Sequence, residues 1–154
     1  MKKTFTLFAA LLFSAAAIAQ GPDFSGSWSL NSGKSKLNAE FSFAPHQVII
    51  THAGNDFTVE KHSDFQGQEF VTNDKLTLDG KECINSGFQD SQKKSTCTWS
   101  DDNKSLKIIS TIPIGDGDMK LTEVYKMDND NLVIESLASS SYGDLSETMV
   151  FDKK

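Results

Sequence analysis

From residue 24 onward, apolar and polar side chains alternate with a period of two in short runs, and clusters of Asp, Asn, Gly and Ser separate the runs. That rhythm predicts β-strands joined by tight turns. Strands are expected over 24–30, 47–52, 57–62, 68–72, 75–78, 81–88, 95–100, 105–112, 119–127, 132–138 and 145–151. Turn residues fall between them at Gly54-Asn55, Asp79-Gly80, Asp102-Asn103, Gly115-Asp116-Gly117, Asp128-Asn129-Asp130-Asn131 and Tyr142-Gly143-Asp144. Connections this short pair successive strands antiparallel, so the chain reads as an all-β, up-and-down meander. Residues 31–45 lack alternation, and Gly33, Lys34, Ser35 and Lys36 suit a loop or a short helix crossing one end of the sheet.

Register follows from the turns, because partners on the two sides of a hairpin keep a constant sum of residue numbers unless a bulge intervenes. Around Asp128-Asn129-Asp130-Asn131, Met127 faces Leu132, Tyr125 faces Ile134 and Glu123 faces Ser136. Around 113–118, Ile112 faces Met119, Ser110 faces Leu121 and Ile108 faces Glu123. One side then carries Leu106, Ile108, Ile112, Leu121, Tyr125, Ile134 and Ala138, and the last strand adds Leu145, Glu147, Met149 and Phe151. The opposite side carries Lys107, Thr111, Lys120, Thr122, Lys126, Glu135, Ser146 and Thr148, the composition of a solvated face.

The first nineteen residues break the β rhythm. Lys2 and Lys3 precede an apolar run from Phe5 to Phe13, and Ala17-Ile18-Ala19 supplies a small-x-small cleavage pattern before Gln20. These three parts predict a cleavable secretory signal over 1–19. The run is too short for the roughly 20 residues that span a bilayer, and no cysteine stands at the cleavage point to take a lipid. The expected product is soluble, in the periplasm or secreted. Cleavage leaves 135 of the 154 residues, 20–154, enough for one core and too few for two.

Charge narrows the partners. The leader takes two of the fifteen lysines and no acid, so thirteen lysines face twenty-one acids, a net charge of −8. Such a surface repels phosphate backbones and anionic lipid heads, which argues against nucleic acid and membrane as partners. Every cation is lysine, and arginine, the usual fork for carboxylate or phosphate, is absent. Cys83 and Cys97 form an even pair in an oxidising compartment, which favours a disulfide over a redox or metal pair. If the loop between them centres on Asp90, they are direct cross-strand neighbours.

Phe24-Ser25-Gly26-Ser27-Trp28 is an F-x-G-x-W motif at the opening of the first strand. It resembles the start of lipocalins and fatty-acid-binding proteins. Thr122-Glu123-Val124-Tyr125 is loosely similar to a second lipocalin motif, T-D-Y, and Met149-Val150-Phe151-Asp152-Lys153 resembles the final strand of a fatty-acid-binding protein. The resemblance implies a lipocalin-like barrel of about 8–10 strands. Within it, Gly26 admits the chain closely and Trp28 plugs the closed end. Lipocalins commonly lay an arginine over that tryptophan; here Lys153 or Lys154 is available for the role. Fatty-acid-binding proteins commonly hold a ligand carboxylate with arginine, for which this chain has no counterpart.

If the sheet closes, the apolar side is the lumen, and Ser110, Glu123, Tyr125, Ser136 and Glu147 are its ligand-orienting groups. A buried carboxylate must be wet, paired, protonated, at the mouth or turned outward by a bulge. An unpaired glutamate would select an apolar ligand bearing a donor or a positive group. His46, His52 and His62 lie on adjacent strands, but His52 and His62 fall on opposite sides, so no shared metal site is expected. Asp116-Gly117-Asp118 and Asp128-Asn129-Asp130-Asn131 lack the later glycine and glutamate of a calcium loop. No G-x-S-x-G, H-E-x-x-H, C-x-x-C or phosphate loop occurs. Two glutamates across a lumen are the one catalytic arrangement left, that of a glycosidase. The expectation is an exported barrel that binds a small, largely apolar molecule without a cofactor and is not an enzyme. The alternative is a protein-interaction or inhibitor module on a filled barrel.

Overall fold

The computed structural model describes residues 21–154; the expected leader lies outside the described residues. Ten strands follow one another in chain order: β1 (Gly26–Leu30), β2 (Gln47–Ala53), β3 (Asp56–Phe65), β4 (Gln68–Thr77), β5 (Cys83–Ser86), β6 (Gln92–Trp99), β7 (Ser105–Ile114), β8 (Gly117–Asp128), β9 (Asn131–Ser140) and β10 (Gly143–Lys153). They form a single antiparallel sheet in the order β4-β3-β2-β1-β10-β9-β8-β7-β6-β5. The meander is therefore circularly permuted in space: β1 pairs with both β2 and β10, and β4 and β5 become the two edges. Those edges meet through a side chain. The Asn85 carboxamide accepts the Lys75 N–H at 2.9 Å and donates to the Lys75 carbonyl at 3.1 Å, imitating the missing ladder pair. The sheet is in this way a nearly closed barrel.

The expected registers of β7, β8 and β9 hold: Met127↔Leu132, Tyr125↔Ile134, Glu123↔Ser136, Ile112↔Met119 and Ser110↔Leu121; β10 continues them with Glu147↔Ser136. No bulge interrupts these ladders. Two-residue turns set them, including Gly54-Asn55 and Asn129-Asp130, where Gly54 and Asn129 have φ of 60° and 53°. The β3–β4 turn, Gln66-Gly67, was not anticipated; both residues have positive φ, 52° and 78°.

Elsewhere the strand boundaries change. The expected strands 68–72 and 75–78 are one, β4, because Asn73-Asp74 continues the alternation instead of breaking it. The strand expected over 81–88 shrinks to Cys83–Ser86, followed by a 3₁₀ turn at Phe88–Asp90. Gln89 and Asp90 there have φ of 51° and 60°. That turn centres the hairpin one residue earlier than expected. Cys83 consequently pairs with Ser95, not with Cys97, which sits opposite Ile108.

The barrel interior is layered. At the end marked by the Gly54-Asn55 and Asn129-Asp130 turns, Phe24, Trp28, Phe57, Tyr125, Leu106, Leu132, Ile134 and Phe151 are fully buried. Phe24 stacks on Trp99 at 6.0 Å and meets Phe57 edge-on at 6.3 Å. This is the closed end. Trp28 Nε1 donates to the Phe24 carbonyl at 2.9 Å, and Lys153 Nζ stands 5.4 Å from the Trp28 ring centroid. Lysine thus takes the covering position over the tryptophan. Gly26 makes room for it: φ is +139°, and a Cβ there would lie 3.1 Å from Lys153 Cε.

Candidate functional site

The ladder aligns inward-facing residues into rows that run around the wall. Trp99, Leu106, Tyr125, Ile134 and Met149 form the row nearest the closed end. Cys97, Ile108, Glu123, Ser136 and Glu147 form the next, and Cys83, Ser95, Ser110, Leu121, Ala138 and Leu145 the one beyond it. Four of the five expected lumen residues, Ser110, Glu123, Tyr125 and Glu147, are buried, and Ser136 is half-buried between the two glutamates.

Three of these four buried groups, Glu123, Ser110 and Glu147, have a structural partner that the expectation did not name. Glu123 is bound by Lys61 from β3, across the barrel. Ser110 shares a 2.7 Å hydrogen bond with Ser95. Glu147 Oε1 accepts the Asn38 backbone N–H at 2.9 Å. A second internal ion pair joins Asp74 of β4 to Lys93 of β6, behind the Asn85 bridge. Two lysines and three acids thus form a polar belt in the middle of the barrel, in which Lys61 and Lys93 pair with Glu123 and Asp74 and a backbone N–H holds Glu147. Burial by itself would lower Lys61, but the Glu123 carboxylate outweighs it and holds the ammonium above its ordinary range. Burial, reinforced by the same carboxylate, pushes the Tyr125 phenol up. The Tyr125 hydroxyl and Asp74 Oδ1 remain buried without a hydrogen-bond partner.

The belt changes the expected ligand chemistry. Glu123 is not a lone anion waiting for a cation, since Lys61 neutralises it. Nor do Glu123 and Glu147 make a free acid–base pair: they stand on β8 and β10 with β9 between, and each is held by a partner of its own. Lys61, Asp74, Lys93 and Ser95 are the site residues that sequence reasoning missed. The signal was present, because continuing period two from Val59, Leu76 and Cys97 turns all four inward.

Beyond the belt the wall becomes apolar again and opens. Ile112 and Ala138 are buried, whereas Ile114, Met119, Leu121 and Leu145, which face the same way, are only half-buried. This end carries the Gln66-Gly67, Gly115-Asp116 and Ser141-Tyr142 turns, and it is the mouth. A strap from Asn31 to His46 forms its rim above the short β1. The strap runs beside β10 through the Lys36↔Thr148 bridge and meets β3 where His46 N–H donates to the His62 carbonyl at 2.8 Å. Phe41, Phe43, Phe65 and Phe70 are between 43% and 59% exposed. Edge-on contacts link them in a chain: Phe41 to Phe43 at 4.4 Å, Phe41 to Phe65 at 6.3 Å and Phe65 to Phe70 at 6.5 Å.

The histidines are placed differently from expectation. His52 is apart, against Phe57 and Trp99 at the closed end, but the His46 and His62 rings lie 6.1 Å apart on the outer face beside Glu60, Asp64 and Glu69. Proximity in sequence parity misled here, because His46 lies on the strap, outside the β2 ladder. Among the described residues no group of three or more His, Cys, Asp or Glu is set to hold a metal ion. No helix among them is long and apolar enough to cross a membrane. A surface groove of about 580 Å³ is on the β4–β5 seam between Lys75, Ile84, Asn85 and Gln92. Cys83 and Cys97 are free thiols, and burial, with Cys83 close by, pushes Cys97 up to about 12.

No family model and no curated sequence matches the chain. Solved structures do. Zebrafish ileal bile acid-binding protein complexed with cholic acid aligns over 85% of this chain and 98% of its own, with a TM-score of 0.59 and 17% identity. An abundant heat soluble (SAHS) protein of Ramazzottius varieornatus aligns over 85% and 95%, with a TM-score of 0.61 and 15% identity. Fatty-acid-binding protein 1 of Echinococcus granulosus aligns over 84% and 96%, with a TM-score of 0.57 and 12% identity. All are lipocalin-like, or calycin, barrels, and that is the fold of this chain.

Proposed function

We propose that this lipocalin-like barrel is exported and holds a small, largely apolar, uncharged molecule in the mouth half of its lumen. The observation that carries the reading is the gradient along the interior wall. Inward-facing Ile114, Met119, Leu121 and Leu145 stay partly open to solvent, while Phe24, Trp28, Phe57, Tyr125, Leu132 and Phe151 at the closed end are fully buried. Apolar side chains that face inward and yet meet water gain when a ligand displaces that water. The polar belt is the floor of the site. Ser110 is the expected polar group nearest the mouth, one row beyond Glu123, Ser136 and Glu147, and Tyr125 lies one row toward the closed end.

Each buried acid of the belt already has a partner within the protein, so none calls for a ligand cation, and the absence of arginine removes the usual fork for a carboxylate. The bile-acid- and fatty-acid-binding proteins that share the fold support an apolar ligand class, not a particular ligand. None of the buried acids is free for catalysis, which supports a binding role. Export rests on the leader pattern, and in an oxidising compartment Cys83 and Cys97, on one interior face and two residues out of register, would form a disulfide once β5 shifts inward.

A filled barrel acting through its end loops is the rival reading, favoured by the fully packed aromatic end. The neutral probe N-phenyl-1-naphthylamine separates the two. Saturable fluorescence is expected, and Leu121→Glu should weaken it at least tenfold by placing a charge in the apolar mouth, whereas Thr122→Glu on the outer face should not. Absence of saturable binding, or equal loss in both variants, would overturn the ligand reading.

A further inference from the structure

The two histidines on the outer face join the strap to the β3–β4 hairpin. His62 places Nε2 2.7 Å from Glu60 Oε1 and Nδ1 3.1 Å from Glu69 Oε1. His46, on the strap, places Nδ1 3.4 Å from Asp64 Oδ2 and Nε2 3.6 Å from the same Glu69 oxygen. An ionised carboxylate only accepts hydrogen bonds, and a neutral imidazole has one N–H. The His62 ring therefore satisfies both of its carboxylates only as imidazolium. A neutral ring turns one nitrogen lone pair towards a carboxylate lone pair.

We propose that His46 and His62 form a pH-operated clasp that fastens the strap to the β3–β4 hairpin and so governs the opening of the barrel mouth. What it fastens is the rim itself, for Phe41 of the strap lies edge-on to Phe65 of the hairpin. The groups that face the clasp are His46 from the strap, Glu60, His62 and Asp64 from β3, and Glu69 from β4. From β2 comes the neutral Gln47, whose Oε1 takes the Lys154 ammonium at 3.1 Å. Hydrogen bonds to Glu60 and then Glu69 hold His62 above the ordinary imidazole range.

The sign follows from that direction. A histidine whose folded-state pKa is raised contributes fully below the ordinary value near pH 6.5, and its contribution disappears as pH rises through the raised value. The clasp is closed in mild acid and loosens in alkali.

The clasp itself does not depend on the ligand, although its effect on the mouth rests on the binding reading above. Millisecond amide exchange across residues 38–46, compared at each pH between the native chain and the double variant His46→Gln/His62→Gln, tests it directly. The native chain should exchange roughly two- to fivefold more slowly than the variant at pH 5.5, the size expected of two exposed ion-pair contacts, with the difference gone by pH 9. Glu69→Gln, which removes the shared acceptor and keeps both rings, should lose most of the pH-dependent protection. Identical exchange profiles in the native chain and the double variant would overturn the clasp. Release of N-phenyl-1-naphthylamine, followed by stopped flow, should quicken from pH 5.5 to pH 9 in the native chain only. A chain that fails to bind the probe but keeps the exchange difference refutes the ligand reading and leaves the clasp standing.

Discussion

Lys61 and Glu123 show how far a single residue's meaning depends on its partner. Glu123 alone in the lumen would need a ligand cation or a proton; with Lys61 it is a finished structural element. Removing one member should therefore hurt more than removing both. Lys61→Met is expected to cost about 3–5 kcal/mol by stranding a buried carboxylate, and Lys61→Met/Glu123→Leu to recover most of it, as read by urea unfolding. Equal stability of the single and double variants would show the pair to be solvated. Gly26 is a second such residue. Alanine there must hold φ at +139° and crowd Lys153, an expected loss of about 1–3 kcal/mol in the same assay.

Among the elements, the β5–β6 hairpin departs most from its expected form. Its 3₁₀ turn carries two residues with positive φ that are not glycine, and so shifts the register by two in the sum of partner numbers. Cys83 and Cys97 become diagonal neighbours on one face. Diagonal Cα atoms lie near 7–8 Å apart, slightly beyond ordinary disulfide geometry, so the four-residue edge strand β5 must move inward to close the bond. Mass measurement of exported protein without reductant should show it two hydrogens lighter than the reduced form; intact thiols would exclude the bond. The seam beside this hairpin depends on Asn85. Asn85→Ala removes two side-chain hydrogen bonds to Lys75, worth about 1 kcal/mol each, and should speed exchange of the Lys75 amide while sparing β8 and β9.

For the whole molecule the titrating groups set a window. Asp79, Asp102 and Asp152 are held below the usual carboxylate range, by hydrogen bonds from Thr77, Ser100 and Asn31 in the first place. Depressed carboxylates contribute above the unfolded value near 3.9 and are lost as pH falls through their folded values. His62 contributes in the opposite sense, below about 6.5 and fading above it. Stability should accordingly peak between roughly pH 4 and 6.5, on the acid side of neutrality, in thermal melts from pH 3 to 9. A maximum at pH 8 would contradict the assignment. The same window is where the clasp at the mouth is closed.

Period two and turn chemistry are local properties, and they determined most of the strands, the antiparallel order, the registers of β7 to β9 and the inward side of Glu123, Ser136 and Glu147. The lysine cover over Trp28 was legible only through the resemblance of the F-x-G-x-W opening to lipocalins. The partners of the inward polar groups belong to the closed barrel alone. Lys61 meets Glu123, and Lys93 meets Asp74, across a lumen whose walls are far apart in sequence, and no spacing along one strand encodes that distance. His46 and His62 likewise converge only because an irregular strap returns to β3. Alternation tells which way a side chain points; curvature and closure decide what it finds there.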